Sequence, residues 1–143
     1  MTQNPTIKLP AERVEQLKAI GDVLGLSIAD TVGHLIRAEI ARGTISDALP
    51  GITIDRDGDR IIMTIDGPRR HFLPLDTAKA IAAQLRKLVA PGKDGGTIDL
   101  DANWTAYRVG NGIRVGFSDS VVKTLSRDVA VDLARLIEAA ARD

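Results

Sequence analysis

Apolar and polar residues alternate at the start of the chain and then adopt a wider spacing. Ile7 and Leu9 alternate with Thr6 and Lys8, which is the two-residue period of a strand with one apolar face. Pro10 is expected to end this strand. The polar face predicted to point outward carries Asn4, Thr6 and Lys8.

After this strand, apolar residues recur every three or four positions, which predicts two amphipathic helices. The first is expected to begin near Ala11 and to end at Gly25, since glycine suits a left-handed terminal position. Gly21 lies inside this helix, where it costs about 1 kcal/mol relative to alanine. Ser27 is the predicted N-cap of the second helix, and Gly43 is expected to stop it. The apolar stripes are Val14, Leu17, Ile20 and Leu24 in the first helix and Ile28, Val32, Leu35, Ile36 and Ile40 in the second.

The segment formed by this strand and two helices is too small to fold alone. Its single strand has no pairing partner, and about forty residues bury too little surface to offset chain entropy. A two-fold homodimer solves both problems, because the strand pairs antiparallel with its copy while four helices cover the apolar face. We therefore expect a dimer.

The segment from residue 2 to 43 resembles the ribbon-helix-helix family, which includes the Arc and methionine repressors and many antitoxins. The resemblance lies in the strand ending TIKLP, the helix AERVEQLKAIGDVLG and the second helix LSIADTVGHLIRAEI. It implies that residues 1–43 form a homodimeric DNA-binding domain whose two-stranded ribbon enters the major groove. In this family the outward strand face reads bases, and the start of the second helix holds a backbone phosphate. The positions implied here are Asn4, Thr6 and Lys8 for bases and Ser27, Ile28 and Ala29 for the backbone.

The residue types at these positions suit base reading. Lysine can reach the O6 and N7 atoms of guanine, asparagine can pair with adenine, and the threonine methyl group can contact thymine. Residues 1–43 carry five basic and five acidic side chains. Because sequence-independent affinity comes mainly from phosphate neutralisation, we expect weak non-specific binding to DNA.

The rest of the chain predicts a second domain with an internal duplication. Residues 44–51 form a short linker with a Pro-Gly pair, and residues 52–143 hold two β-β-β-α copies, at about 52–90 and 97–143. Hairpin turns are predicted at Asp57-Gly58 and at Gly110-Asn111-Gly112. Asp76 and Ser126 are the predicted caps of the two helices. The fold class expected for the whole chain is α+β, with both C-terminal helices on one face of an antiparallel sheet.

Composition narrows the functional classes. The chain has no cysteine, which excludes disulfides and thiol nucleophiles, and its formal net charge is zero. Aromatic residues make up 3% of the chain, too few to favour a stacking platform for single-stranded nucleic acid. We expect no membrane span and no signal peptide, and hence a cytoplasmic location.

Few residues suggest other chemistry. Asp55, Asp57, Asp59 and Asp66 have the spacing of a calcium loop but lack its glycine and glutamate, so a solvated hairpin is expected. His34 is expected to pack or to lie at a dimer interface, and His71 to lie on a solvated strand face after Arg69 and Arg70. No set of nucleophile, base and orienting group is visible. We therefore predict no enzyme, cofactor or metal.

Two aromatic residues of the second copy, Trp104 and Tyr107, leave two interpretations open, since each is either packed in the core or an anchor for a partner. The function expected for the chain is that of a sequence-specific regulator of transcription binding double-stranded DNA, acting as a repressor. The C-terminal domain would join dimers into tetramers or bind a protein partner. One alternative is an antitoxin whose C-terminal part binds a toxin. Another is an interaction protein that dimerises without binding DNA.

Overall fold

The computed structural model describes residues 5–90, 103–118 and 122–142. The chain divides into two units, Met1–Asp47 and Ala48–Asp143, and the boundary falls inside the predicted linker at 44–51. The described residues form four helices and two three-stranded antiparallel sheets, which confirms the α+β class. Asn4, the connector predicted at 91–96 and the start of the second predicted copy at 97 lie outside the described residues.

The first unit contains helices α1 (Ala11–Leu24) and α2 (Ile28–Ala41). The predicted start of α1 is confirmed, as is its left-handed end at Gly25, where φ is 71°. Helix α2 ends at Ala41, two residues before the predicted stop at Gly43. The strand predicted up to Pro10 is not formed within the single chain, where Pro5–Pro10 have no regular secondary structure. The predicted partner of this strand is the same strand of a second chain, which the single chain does not contain.

The second unit consists of two successive groups of three strands and a helix. The first group is β1 (Ile52–Asp57), β2 (Arg60–Ile65), β3 (His71–Pro74) and α3 (Leu75–Val89). The second group is β4 (Trp104–Val109), β5 (Gly112–Phe117), β6 (Val122–Ser126) and α4 (Arg127–Ala140). Both predicted hairpin turns are confirmed, since Gly58 and Gly110 adopt positive φ angles of 62° and 57°.

The two groups match residue by residue. Adding 52 to the numbers of β1, Ile52–Asp57, gives β4, Trp104–Val109, and the same shift converts β2 into β5. The strand registers follow it too, because the pair Ile61 and Leu73 becomes the pair Ile113 and Leu125. The two groups therefore have the same local topology and the same buried faces.

The strands form two sheets rather than the single sheet that we predicted. The orders are β1-β2-β3 and β4-β5-β6. Helices α3 and α4 pack against each other, and each also contacts strands of both sheets. One apolar core results, with Ile61, Met63 and Leu85 from the first group and Ile113, Val115 and Ile137 from the second among its fully buried members. Each group thus covers the apolar surface of the other.

The helix starts of the second unit correct one prediction and confirm another. Asp76 does not cap α3, because the cap position is Pro74, which has no side-chain acceptor, and Asp76 lies in the first turn. There its carboxylate suits the positive end of the helix dipole. Ser126 caps α4 as predicted, accepting a hydrogen bond from the backbone N–H of Val129 at 3.1 Å. The equivalent positions are therefore Pro74 and Ser126, not Asp76 and Ser126.

Two arginines connect the groups in a reciprocal way. Arg56 in β1 donates hydrogen bonds to the carbonyl oxygens of Ala140 and Arg142 at the end of α4, at 3.0 and 2.9 Å. Arg108 in β4 donates to the equivalent oxygens of Leu88 and Ala90 at the end of α3, both at 2.7 Å. These carbonyls have no partner within a helix, and a cation at the C-terminal end of a helix also interacts favourably with the helix dipole. Each group therefore caps the helix of the other.

Candidate functional site

The turn between α1 and α2 is built around the close approach of two backbones. Gly21 is buried in α1, and a Cβ atom added to it would lie 2.5 Å from the carbonyl oxygen of Leu26 and 2.8 Å from Oγ1 of Thr31. Thr31 is fully buried and donates its hydroxyl to the carbonyl oxygen of Ser27 at 2.7 Å. The sequence alone indicated that Gly21 weakens the helix. The structure shows instead that packing requires a glycine at this position.

The start of α2 has the predicted cap. The Ser27 hydroxyl accepts a hydrogen bond from the backbone N–H of Asp30 at 3.1 Å. Ser27, Ile28 and Ala29 are all exposed, so the first backbone amides of the helix, which lack intrahelical acceptors, face an accessible surface. This geometry suits a phosphate oxygen. The carboxylate of Asp30 in the first turn already offsets part of the positive charge at this helix end.

The residues predicted to read bases are partly described. Thr6 and Lys8 are exposed, within a segment that has no regular secondary structure in the single chain. Asn4 lies outside the described residues. The chain by itself therefore does not bring Thr6 and Lys8 together on a strand face; that arrangement needs a partner strand.

The apolar side chains of the first unit are not covered. Among its described residues only Gly21 and Thr31 are buried in the two helices, and no apolar side chain of the unit belongs to the buried core. Ile7 is 79% exposed, and Leu9, Leu24 and Ile36 are each close to half exposed. All members of the two predicted stripes except the half-buried Leu17 and Ile40 are therefore exposed. The exposed apolar residues are Ile7, Leu9, Val14, Ile20, Val23, Leu24, Ile28, Val32, Leu35, Ile36 and Ile45.

The charges of this unit nearly cancel, and two of its arginines have local partners. Arg13 donates to the side chain of Gln16 at 2.8 Å, and Arg42 pairs with Glu39. The described residues of the unit contain six carboxylates against five cationic side chains. Such a surface attracts DNA only weakly through charge, so specific contacts would have to supply the discrimination.

The other candidate residues of the sequence lie elsewhere. His34 is exposed on α2. The interpretation of His71 as a solvated residue is wrong, because it is half-buried and its ring stacks on Phe117 with a centroid distance of 3.8 Å. The reason is strand parity, since His71 points to the same side of β3 as the buried Leu73.

Two of the four aspartates of the broken calcium loop bind cationic side chains. Asp57 accepts from Arg60 at 2.9 Å, and Asp66 binds Lys123 of the second group at 2.7 Å. Within residues 5–90, 103–118 and 122–142, no cluster of three or more histidine, aspartate or glutamate side chains is placed to hold a metal ion.

The structure separates the two aromatic residues that the sequence left open. Trp104 is 3% exposed and donates its indole N–H to Oε1 of the buried Gln84 at 2.9 Å. It is a core residue, and its ring also meets Phe117 edge to face. Tyr107 lies three positions along the same strand and is therefore on the opposite, exposed face.

No single helix in the described part of the chain is long and apolar enough to cross a membrane; only α1 and α2 taken together pass that test, and they are bent by 85°. Comparisons with models of protein families, with curated proteins and with solved structures found no match to this chain.

Proposed function

We propose that the protein is a cytoplasmic, homodimeric regulator of transcription, acting as a repressor, that binds specific sites in double-stranded DNA through its first unit. The observation that carries this proposal is the uncovered apolar surface of that unit. Eleven large apolar side chains are exposed among its described residues, and none is buried. A folded segment with so much open apolar surface requires a partner, and a second copy supplies a complementary one.

A second copy would also complete the predicted ribbon. Two strands running antiparallel at Pro5–Pro10 would satisfy each other's backbone groups and set Thr6 and Lys8 of both chains on one outward face. Paired ribbons of this width fit the major groove. The exposed, capped start of α2 at Ser27 would then contact a phosphate on either side. This arrangement is the ribbon-helix-helix fold that the sequence resembles.

We also propose that the second unit arose by duplication of a β-β-β-α segment. The constant shift of 52 residues between Ile52 and Trp104 supports it, as do the reciprocal contacts of Arg56 and Arg108. A two-fold relation between the groups explains why each caps the helix of the other. The unit would then be a fused dimer that needs no second chain, and it is free to bind a partner protein.

The proposal is tested by fluorescence anisotropy with DNA from upstream of the protein's own gene, scrambled DNA as competitor and two salt concentrations. Lys8→Ala is expected to weaken specific binding by about tenfold or more, since a good base contact contributes about 1–3 kcal/mol. Lys18→Ala removes the same charge from the exposed surface of α1 and is the matched control, with little expected effect. Equal losses in both variants, or no preference over scrambled DNA, would refute base reading by the ribbon.

A second candidate, dimerisation without DNA binding, is favoured by the charge balance of the first unit. Its six carboxylates offset its five cationic side chains, so phosphate attraction is small. Sedimentation analysis in parallel with anisotropy distinguishes the two candidates. A dimer that binds no DNA at low salt would support the interaction protein over the regulator.

A further inference from the structure

The outer face of the sheet β4-β5-β6 differs from its counterpart on the other sheet. Trp104 and Ala106 point into the core, so Tyr107 and Val109 point outward from β4. Arg114 points outward from the central strand β5, and Val122 from β6. Tyr107, Val109 and Val122 are 36%, 42% and 53% exposed. Three apolar or aromatic side chains therefore surround one arginine on a single sheet face.

The strand register places Arg114 at the centre of this face. It lies directly between Tyr107 on one neighbouring strand and Thr124 on the other. Its guanidinium donates to Oγ1 of Thr124 over 3.4 Å, a long and therefore weak bond. The outward positions on either side of it along β5 are Gly112 and Gly116, which have no side chains. Arg114 itself is exposed, while Gly112 is half-buried and Gly116 is buried between the neighbouring strands.

Among the described residues of this face, no carboxylate balances Arg114. The outward positions of β4, β5 and β6 hold no aspartate or glutamate. Protein interfaces are enriched in tyrosine and arginine at their centres and depleted of acidic residues, and this face has that composition. A ligand that complements this face would carry a negative charge opposite Arg114 and apolar side chains opposite Tyr107, Val109 and Val122.

The equivalent face of β1-β2-β3 serves as an internal comparison, because its aromatic ring and two of its arginines are in contact with each other. Phe72 lies under the guanidinium groups of Arg60 and Arg70, whose carbons are 4.5 and 5.3 Å from the ring centre. Arg60 also pairs with Asp57 at 2.9 Å. The arginines of the first face therefore contact an aromatic ring or a carboxylate, whereas Arg114 on the second face has, among the described residues, only its long bond to Thr124.

We propose that the outer face of β4-β5-β6 binds a segment of a partner protein that carries a carboxylate between apolar side chains. The carboxylate would accept hydrogen bonds from Arg114, and the flanking apolar groups would pack on Tyr107, Val109 and Val122. This surface is independent of DNA reading by the first unit, so the two proposals can fail separately.

The test uses the full-length protein and two fluorescein-labelled peptides that differ only in charge, Leu-Glu-Leu-Glu-Leu and Leu-Lys-Leu-Lys-Leu, both blocked at their ends. We expect the glutamate peptide to bind in anisotropy titrations and the lysine peptide to bind far more weakly. Arg114→Glu should lower the affinity for the glutamate peptide by about tenfold or more and reverse the preference. Tyr107→Ala should weaken binding through lost apolar contact, and neither variant should change DNA binding.

The comparison face supplies the controls. Arg60→Glu makes the same charge reversal on β1-β2-β3, and Phe72→Ala removes an aromatic ring there; both should leave peptide binding unchanged. Equal binding of both peptides, equal losses in Arg60→Glu and Arg114→Glu, or no binding of either peptide would each overturn the proposal. Sedimentation velocity tests whether a second copy of this chain, rather than a partner protein, occupies the face. If Arg114→Glu converts a tetramer into a dimer while neither peptide binds, the face joins copies of this chain and the proposed partner is wrong.

Discussion

Replacing Gly21 by alanine sets helix propensity against packing. Alanine is the better helix former by about 1 kcal/mol, so propensity alone predicts a more stable protein. The added Cβ atom, however, would lie 2.5 Å from the Leu26 carbonyl oxygen and 2.8 Å from the Thr31 hydroxyl oxygen. The first of these is backbone and cannot rotate away. We therefore expect the packing cost to exceed the gain in propensity.

The magnitude follows from the groups that must move. Overpacking of a close contact costs about 1–3 kcal/mol. Displacing Thr31 also weakens its buried bond to the Ser27 carbonyl oxygen, 2.7 Å long, which contributes about 0.5–1.5 kcal/mol. After subtraction of the propensity gain, Gly21→Ala should lower the free energy of unfolding of the first unit by about 0.5–3.5 kcal/mol.

The assay exploits the distribution of aromatic residues. Phe72, Trp104, Tyr107 and Phe117 all lie in the second unit, so tryptophan fluorescence reports that unit while far-UV circular dichroism reports both. In urea unfolding at fixed protein concentration, Gly21→Ala should lower the midpoint of the dichroism transition and leave the midpoint of the fluorescence transition unchanged. Ala19→Gly, at an exposed position of the same helix, measures the propensity difference alone. A Gly21→Ala protein that is stabilised by as much as Ala19→Gly is destabilised would refute the packing argument.

Three further predictions concern the second unit. Gln84→Leu should lower its free energy of unfolding by about 1–3 kcal/mol, because it leaves the buried indole N–H of Trp104 without an acceptor; unchanged urea unfolding followed by tryptophan fluorescence would contradict this. Arg108→Ala should cost about 1 kcal/mol by uncapping α3, and Arg56→Ala about as much by uncapping α4, so a loss in only one of the two in thermal unfolding would argue against reciprocal capping. Residues 48–143 alone should fold and be monomeric by light scattering, since the core lies wholly within them; a dimeric fragment would place the dimer contacts in the second unit instead.

Local signals in the sequence predicted the elements that depend on local chemistry. Ser27 and Ser126 cap helices because each has a hydroxyl one residue before a helical stripe, and Gly25, Gly58 and Gly110 occupy the left-handed positions that glycine favours. The prediction that Asp76 caps α3 was wrong because a carboxylate near a helix start suits both the cap and the first turn. Only the fold shows that Pro74 occupies the cap.

Features that depend on distant contacts were not predictable in the same way. The division into two sheets depends on which strand edges meet, and the pattern of each strand is the same in either case. The role of Gly21 depends on a turn that brings Leu26 and Thr31 against it. Strand parity does separate Trp104 from Tyr107, but which of the two faces is buried follows only from the packing of α3 against β4.

The two units meet the same physical requirement in different ways. The second unit joins two β-β-β-α groups in one chain, so that the apolar faces of both close over a common core and Arg56 and Arg108 cap each other's helices. The first unit has no such second group, and its apolar stripes remain open. If its missing half is another copy of the chain, folding of the first unit depends on protein concentration while folding of the second does not. Dilution should then lower the urea concentration at the midpoint of the far-UV dichroism transition. The midpoint of the Trp104 fluorescence transition should not change. Coincident transitions at every concentration would show that the first unit is stabilised within its own chain and would remove the main support for the dimer.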